Sequence, residues 1–510
     1  MLKHLNILYI LTLLVISFTF NIYYGSIGVF PIDTFAFFDS ANLINQGFLP
    51  IRDYWTSNGL LVDFIQSLFF KIFGVSWLIY LFHSSIVNFI FALFTFKFLN
   101  HVGLNSKFSF FYSFAVCILA YPPVGVPFSD HHSLIFSIIS IYTLILTLQK
   151  ESNFYLFTTI FILFVAFLCK QIPAAFFILL TSTYLFYFSI KKKNYSLIIN
   201  SLIFSLSLIL IFFLFLKISS IPIKDFFIQY INFPLSIGDV RTANFTFLNF
   251  TVSLINEFKF FLIIILIMIF QILKEKKFNL LDTNIVFILV TFLALLNQEL
   301  MKNQNIVFFI LPILTGLVHL RLNKKSNQYN FFYLIFIIIF CVFITTKYHL
   351  RFNVDRKFMD LQSIDKTNTI NAEIISKKLK GLKWITSIGQ IEIDNEVLLL
   401  KESIAYLKSN KKNSMVISNY QFLNSEIDNR VYSPNRWYTN DGVSYPLSEN
   451  KYFEYYVYFF KKQLIKNKII KIYTLYPLNE KSFKFVLQEG CVITKKINNL
   501  LEEHNLTNCF

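Results

Sequence analysis

Long apolar runs recur along this chain from its start to about residue 347, and they restrict its fold more than any other feature. Runs of about 18 or more apolar residues are typical of helices that cross a lipid bilayer. Hydrophobic residues make up 55% of the 510 residues and charged residues 15%, which excludes an ordinary soluble protein. We predict about eleven spans, at residues 5–22, 77–96, 108–121, 131–149, 154–169, 172–190, 196–217, 259–273, 283–300, 305–320 and 331–347.

The first apolar run is predicted to remain in the protein as a membrane helix. Residues 5–20 are apolar enough to start translocation. A cleavable signal peptide ends in small residues around its cleavage site. Here Asn21 and Ile22 follow the run instead, so we expect a retained helix.

The cations between the apolar runs indicate how the chain crosses the membrane. Cytoplasmic loops carry an excess of Lys and Arg. With the N-terminus inside, the inner loops hold 13 cations and the outer loops hold 6. We therefore expect a multi-pass protein of the bacterial inner (plasma) membrane, with its N-terminus cytoplasmic and its C-terminal region periplasmic or extracellular. The inner cations are Lys3, Lys97, Lys107, Lys150, Lys191, Lys192, Lys193, Lys274, Lys276, Lys277, Arg321, Lys324 and Lys325; the outer ones are Arg52, Lys71, Lys170, Lys224, Arg241 and Lys302.

The net charge of +17 is in part this topology signal. A nucleic-acid-binding surface would cluster basic residues on one face, outside the membrane segments. The sequence has no such face with interleaved aromatic residues. We therefore expect membrane lipids, and no nucleic acid, among the partners.

The chain changes character near Tyr348, which divides it into a membrane domain at 1–347 and an external soluble domain at 348–510. The residues after Tyr348 have the polarity and length of an ordinary single domain. Helical periodicity at 396–407 and 452–465, with strand patterns at 414–418 and 469–476, predicts a small α/β domain. Cys491 and Cys509 fall in this region, where an oxidising compartment would permit a disulfide. No spacing of Cys and His suggests zinc.

The polar segment 31–74, which we name the first loop, separates the first two apolar runs. Asp33 opens it, a short amphipathic helix ends near Gly47, and a second helix ends at Gly74. We expect this pair of amphipathic helices to lie outside the membrane. Such an ordered, acid-bearing loop is more than a connector needs, which makes it the first candidate for a functional site.

Asp33 and Asp39 are alternative candidates within this loop. Asp is among the best residues for a helix N-cap, and Asp33 has that structural alternative. If residues 33–45 form one helix, Asp39 is rotated about 120° from Asp33, so the two cannot face one cleft. Asp39 would then lie on the solvated side. A base that acts on an acceptor hydroxyl must lie within hydrogen-bond reach of it, and we favour Asp33 for that position.

The turn after the first amphipathic helix carries Arg52 and Asp53. Both are candidate substrate-binding residues, as is Asp39. The structural alternative is an ion pair between the two side chains, which would hold the turn.

Two later loops carry charged residues next to predicted spans. Asp130, followed by His131 and His132, lies at the outer mouth of the span 131–149, where it could cap the helix. Lys170 lies between the spans 154–169 and 172–190. A cation so close to the apolar phase is costly and is a functional hypothesis by default, with extension of the side chain to the interface as the structural alternative.

Lys302, near Asn297, Gln298 and Glu299, and Arg241 in the long outer loop 218–258 are the remaining candidate cations. Either could contact an anionic substrate group. Their surroundings carry no stronger pattern.

In this order, the acid-bearing first loop, the Pro127-to-Asp130 mouth and the Cys169-Lys170-Gln171 turn resemble the GT-C superfamily of integral-membrane glycosyltransferases. In that family the catalytic Asp of the first loop is followed eight residues later by Ala and an apolar pair. Here Ala41 follows Asp33 at that distance, with Leu43 and Ile44 after Asn42. The resemblance covers most of residues 1–347 and does not include the tail.

The resemblance implies inverting transfer of a sugar from a polyprenyl-phosphate donor to a lipid, glycan or protein acceptor at the outer membrane face. It implies Asp33 as the general base, Asp130 as a second acid facing it, and Lys170 near the lipid phosphate. Asp130 with His131 is then a candidate site for a divalent cation, Mg²⁺ or Mn²⁺. Relatives place an Arg-rich turn where this chain has Lys302, which weakens a phosphate role there.

Two other classes of protein compete with an enzyme. A polytopic transporter or lipid-linked-glycan flippase usually shows inverted repeats or helices broken near the midplane, and neither is clear here. A non-enzymatic envelope scaffold would account for the external domain but not for the acids at one membrane face.

Overall fold

The computed structural model of the protein describes residues 2–122, 125–243, 245–275, 279–301, 307–323, 328–355, 361, 365, 367–386, 392–410, 413–427, 433–439 and 442–509. The chain divides into two compact units. The first, which we name the helical unit, comprises Met1–Tyr24, Ser84–Phe212 and Arg241–Phe358. The second, the mixed unit, comprises Gly25–His83, Phe213–Val240 and Met359–Phe510.

Helices follow the apolar runs, and short helices form in the loops between them. Up to His349 the α-helices are α1 (Leu2–Gly25), α2 (Pro31–Thr34), α3 (Phe38–Asn45), α4 (Leu60–Phe73), α5 (Trp77–His101), α6 (Ser106–Leu119), α7 (Ser129–Lys150), α8 (Asn153–Cys169), α9 (Gln171–Lys192), α10 (Ser196–Ile218), α11 (Ile223–Phe226), α12 (Phe233–Ala243), α13 (Phe247–Asn256), α14 (Lys259–Lys274), α15 (Thr283–Met301), α16 (Ile310–Asn323) and α17 (Gln328–His349).

Several of these helices could cross a membrane, which fits a multi-pass membrane protein. Within the described ranges, seven are long and apolar enough: α1, α5, α7, α9, α10, α15 and α17. The pair α13 and α14 passes the same test together but is bent by 93°, and three further apolar regions, at α6, α8 and α16, are shorter. Each predicted run therefore coincides with a helix. Length and composition support seven or eight spans, so the predicted number of about eleven is not confirmed.

Helix α7 lies at the centre of the helical unit. In its most apolar window 89% of the residues are buried, against 11% in α10, whose exposed Leu and Ile side chains suit contact with lipid. Hydroxyl side chains pack α7 against α8: Thr159 Oγ1 donates to Thr143 Oγ1 at 2.9 Å, and Thr147 Oγ1 lies 3.4 Å from Thr159 Oγ1. Small hydroxyl residues let membrane helices approach closely, and these contacts hold the C-terminal half of α7 against α8.

The mixed unit contains a three-stranded sheet that joins distant parts of the sequence. Strand β1 (Ile27–Val29) pairs in parallel with β3 (Lys383–Thr386), and β2 (Ile370–Asn371) pairs antiparallel with β3. Phe35 packs beside the sheet, with its ring centroid 6.0 Å from that of Trp384 and 5.0 Å from that of Phe422.

The sequence predicts a single domain boundary near Tyr348, whereas the mixed unit also includes Gly25–His83 and Phe213–Val240. The residues before and within the first loop share a sheet and an aromatic core with the C-terminal region, because β1 hydrogen-bonds to β3. The mixed unit is therefore assembled from three separate segments of the chain.

The C-terminal region has the predicted α/β character. The predicted helices are confirmed as α18 (Ile393–Ser409) and α20 (Phe453–Lys466), with the short α19 (Leu423–Glu426) between them. The predicted strands are β4 (Ser414–Ile417) and β5 (Lys471–Leu475), and they pair in parallel. Strands β7 (Leu501–Asn505) and β6 (Ile493–Lys496) extend this sheet on the other side of β5. A disulfide joins Cys491 to Cys509.

Candidate functional site

Asp33 lies in α2, a four-residue helix near the start of the first segment of the mixed unit. It is the third residue of this helix, and Phe30 occupies the N-cap position. Thr34 holds the start of the helix, since its Oγ1 accepts from Phe30 N–H at 2.9 Å. Asp33 is therefore not the N-cap. Asp33 is half-buried, whereas the other acids of the first loop are buried.

Asp39 lies in the separate helix α3, because the chain leaves helical geometry after Thr34. The premise of one helix over 33–45 is therefore wrong, and so is the placement of Asp39 on a solvated side, since only 1% of it is exposed. Its Oδ2 accepts from Asn424 N–H at 2.9 Å and its Oδ1 from Ser425 N–H at 3.0 Å. Burial raises the pKa of Asp39 to about 7, although these two hydrogen bonds act to lower it. Asp39 thus holds α19 against the first loop.

A third acid of the loop, Asp63, forms a fully buried ion pair that no sequence pattern indicated. Its Oδ2 is bound by Arg436 Nη2, and its Oδ1 accepts from Ser40 Oγ at 2.5 Å. The two charged side chains are 0% and 1% exposed. Burial raises the pKa of Asp63 to about 6, while the Arg436 guanidinium acts to lower it. Asp63 lies in the first turn of an apolar helix, and a buried acid there needs a charged partner. The neighbouring sequence does not identify that partner, because Arg436 is 373 residues away.

Aromatic rings and a glycine enclose Arg436. Its guanidinium lies 4.8 Å from the ring centroid of Phe37 and 5.4 Å from that of Trp437, and it donates to the carbonyl oxygen of Asn58. Gly59 has φ +69°, and a Cβ there would lie 2.5 Å from Phe37 Cε1 and 2.8 Å from Arg436 Nη1. Glycine is required at this position because of both its backbone conformation and this close approach.

Tyr80 links the buried ion pair to Asp33. Its hydroxyl accepts from Phe37 N–H at 3.3 Å. Asp63, Arg436 and Asp33 are the charged groups that act on it electrostatically. The half-buried Asp33 therefore lies close enough to the buried ion pair for both to act on Tyr80.

Arg52 and Asp53 form the ion pair that was the structural alternative for this turn. Arg52 Nη2 lies 2.6 Å from Asp53 Oδ2, and Lys466 Nζ lies 2.9 Å from Asp53 Oδ1. Leu49 N–H also donates to Asp53. Burial acts to raise the pKa of Asp53, but the hydrogen bonds from Arg52, Leu49 and Lys466 outweigh it, and the pKa is lowered. Substrate contacts of Arg52, Asp53 and Asp39 remain predictions.

In the helical unit, Asp130 and Lys170 are paired with each other. Lys170 Nζ lies 2.7 Å from Asp130 Oδ1 and 2.6 Å from Oδ2. Asp130 is in the first turn of α7, and Lys170 has extended backbone between α8 and α9. Ser133 Oγ donates to the Lys170 carbonyl at 2.9 Å, which fixes the backbone as well. The side chain of Lys170 is 13% exposed, and the two contacts with Asp130 orient its ammonium.

The divalent-cation role predicted for Asp130 and His131 remains a prediction. Both carboxylate oxygens of Asp130 contact the Lys170 ammonium. Nε2 of His131 faces the carbonyl oxygen of Ala120, so this nitrogen carries the proton and is not a free metal ligand. Among the residues that the structure describes, no group of three or more His, Cys, Asp or Glu side chains could hold a metal ion.

The two remaining candidate cations give less information. Arg241 lies in the last turn of α12. Lys302 lies outside the described residues. Their predicted contacts with substrate remain predictions.

Comparison with models of known protein families finds no match for this chain. Comparison with curated proteins finds no matching relative either. The resemblance to the GT-C superfamily therefore depends on the order and placement of the residues described above.

Proposed function

We propose that this protein is an integral-membrane glycosyltransferase that moves a sugar from a polyprenyl-phosphate donor to a lipid, glycan or protein acceptor at the outer membrane face. One observation carries the proposal. Of the four carboxylates in residues 25–83, Asp39, Asp53 and Asp63 are 0–2% exposed, whereas Asp33 is half-buried. Asp33 is the carboxylate of this loop that an acceptor hydroxyl can reach.

Asp33 is the general base of the proposed reaction. Its carboxylate takes the proton of the acceptor hydroxyl. The acceptor oxygen then forms a bond to the anomeric carbon from the face opposite the lipid phosphate, while the bond between that carbon and the phosphate oxygen breaks. The configuration inverts, the polyprenyl phosphate leaves, and no covalent sugar–enzyme intermediate forms. A positioned base contributes about 10²–10⁴ to the rate of such a step.

Lys170 neutralises charge on the departing phosphate in this proposal. A fixed cation is most effective where charge develops in the transition state. Asp130 holds the ammonium through both oxygens and is a positioning residue in this scheme, while Ser133 fixes the Lys170 backbone. The two acids thus have different tasks: Asp33 moves a proton, and Asp130 orients a cation.

The disulfide between Cys491 and Cys509 supports an outer location for the C-terminal region. Disulfides persist in oxidising compartments such as the bacterial periplasm and are rare in the cytosol. This agrees with the orientation expected from the loop cations. A reporter that is active only outside the cytoplasm, fused after Phe510, should give signal.

The decisive experiment compares Asp33→Asn with Asp394→Asn in purified full-length protein. Asp394 is a matched control because it is also an acid in the first turn of a helix, and it is exposed. Turnover of polyprenyl-phosphate sugars should fall about 10²–10⁴-fold in Asp33→Asn and stay unchanged in Asp394→Asn. Both variants should reach the membrane at normal levels.

Near-normal turnover by a well-expressed Asp33→Asn protein would overturn the proposed mechanism. Binding of a lipid-linked sugar without any transfer would favour a transporter or flippase instead. Loss of activity in Asp39→Asn alone, at normal expression, would move the base to Asp39.

A further inference from the structure

The helical unit contains an apolar cavity of about 710 Å³ between α8, α9 and α10. Its lining on α10 runs from Ile198 to Ile209, which corresponds to about 16 Å along the helix at 1.5 Å per residue. A volume of this size lies in the range that proteins use to bind small ligands. Representative lining residues are Leu163, Phe167, Phe186, Leu202 and Leu208. The shape and lining suit a hydrocarbon chain.

Three consecutive lysines lie at the end of this cavity where α9 turns into α10. Lys191, Lys192 and Lys193 are exposed. Lys191 contacts neutral groups, with its Nζ 3.5 Å from Tyr187 Oη and 3.4 Å from Asn279 Oδ1. Phe186, which lines the cavity, is five residues before Lys191 on the same helix, a distance of about 7.5 Å.

The charge at this turn remains positive when its acidic neighbour is included. Glu151 accepts from Asn194 Nδ2 at 2.9 Å, beside the three lysines. One carboxylate against three ammonium groups leaves a net positive charge. Basic groups next to a membrane attract anionic lipid headgroups, and basic pockets between membrane helices bind them.

The opposite end of the cavity offers a weaker site for a phosphate. Phe167 lies three residues before Lys170, the cation at that end. Both oxygens of Asp130 already hold the Lys170 ammonium. The exposed cations therefore favour a headgroup at the turn between α9 and α10, in the leaflet that the loop charges assign to the cytoplasm.

From this geometry we propose that the helical unit binds one anionic phospholipid of the inner leaflet. One acyl chain fills the cavity between α8, α9 and α10, and the phosphate of the headgroup contacts the lysines at 191–193. The headgroup contact at 191–193 uses none of the residues of the proposed sugar transfer, so the proposal does not depend on that function.

The test uses purified, delipidated full-length protein and two probes, phosphatidylglycerol and zwitterionic phosphatidylcholine. Native mass spectrometry measures the affinity for each. Phosphatidylglycerol should bind as a single tight lipid, and the double variant Lys192→Gln/Lys193→Gln should weaken it roughly 25-fold, about fivefold for each lysine near the anionic headgroup. The matched control Lys97→Gln/Lys107→Gln removes two exposed cations near the end of α5 and the start of α6 and should have no effect.

A second pair of variants tests the cavity itself. Ser205 lines the cavity, whereas Ser207 on the same helix is exposed and does not. Ser205→Trp should abolish tight binding of phosphatidylglycerol, and Ser207→Trp should leave it intact. A phosphatidylglycerol with a photoreactive acyl chain should label α8, α9 or α10 in the unsubstituted protein.

Three results would overturn the proposal. The first is equal affinity for the two phospholipids, the second is identical behaviour of Ser205→Trp and Ser207→Trp, and the third is labelling confined to other helices. Occupation of the cavity by polyprenyl phosphate in preference to phosphatidylglycerol, with loss of binding in Lys170→Gln, would also overturn it.

Discussion

Two ion pairs, one in each compact unit, differ in how deeply they are buried, and this difference distinguishes a structural pair from a candidate functional pair. Arg436 and Asp63 in the mixed unit are 1% and 0% exposed, and aromatic rings enclose the guanidinium. Lys170 and Asp130 in the helical unit are 13% and 6% exposed. The first pair is closed to any ligand, so it can only hold the fold. The second pair is less completely buried, which the proposed contact with a phosphate requires.

The largest effect on stability should come from breaking the closed pair. Arg436→Met leaves Asp63 as an unpaired buried carboxylate, and removing one partner of such a pair costs about 3–5 kcal/mol. The measurement is thermal unfolding of the full chain followed by tryptophan fluorescence, because all four tryptophans belong to the mixed unit. They are Trp55, Trp77, Trp384 and Trp437.

A double variant distinguishes the stability lost with the charge partner from the stability lost with side-chain packing. Asp63→Leu combined with Arg436→Met removes both charges and should recover most of the lost stability, since apolar replacement of a buried pair is often neutral. The exposed pair of Lys484 and Glu480 provides the control, and Lys484→Gln should change little. If Arg436→Met unfolded like Lys484→Gln, the contrast between closed and open pairs would be lost.

The open pair should affect turnover more than folding. Lys170→Gln should lower turnover of a polyprenyl-phosphate sugar about 10²–10³-fold, the range for losing one group that stabilises developing charge. Lys170→Arg keeps the charge and should restore part of the activity. The tryptophan unfolding transition should not move, since it reports the mixed unit. Equal turnover by Lys170→Gln and the unsubstituted protein would remove Lys170 from the mechanism.

The same contrast shows what could be predicted from the sequence. Apolar runs and local periodicity located the helices, including α18 and α20, because such patterns are set by neighbouring residues. Asp33, Asp130 and Lys170 could be selected because polar residues at the ends of apolar runs are conspicuous. Their separate roles were predicted, but the direct pairing of Asp130 with Lys170 was not.

The parts that could not be predicted depend on contacts between distant segments. The pairing of β1 with β3 and the ion pair of Asp63 with Arg436 each join positions more than 350 residues apart. No local pattern encodes such a partner. The break after Thr34 was missed for a related reason, since Phe35 leaves the helix to pack on Trp384 and Phe422. That break moved Asp39 from an expected solvated face to full burial.

A smaller effect should follow from Asp39, which is buried like Asp63 but bound by backbone N–H groups. Its pKa is raised by burial to about 7 in the folded protein, above the ordinary value for Asp. A raised carboxyl pKa means that the folded state holds the proton more tightly. Its contribution to stability is therefore present at low pH and is lost as the pH rises through 7. The mixed unit should be about 1 kcal/mol less stable at pH 8 than at pH 6.

The measurement is again tryptophan-detected unfolding, at pH 6 and pH 8 in detergent. Asp39→Asn is uncharged at both values and should lower stability overall, because its amide cannot accept from both N–H groups, but it should flatten this part of the pH dependence. An unchanged slope in Asp39→Asn would assign the pH dependence to another group, with Asp63 the next to test.

The smallest effect should come from Lys466, which forms an exposed contact with the first-loop acid Asp53. Its side chain is 53% exposed, and Asp53 is also bound by Arg52 and Leu49 N–H. Exposed ion pairs contribute about 0–1 kcal/mol, so Lys466→Gln should shift unfolding by less than about 1 kcal/mol. Arg52→Gln should cost more, since Arg52 also donates to the carbonyls of Gly47 and Ser219. Should Lys466→Gln instead destabilise the protein as much as Arg436→Met, exposure would not be what ranks these ion pairs, and the functional assignment of Lys170 from its partial exposure would lose its basis.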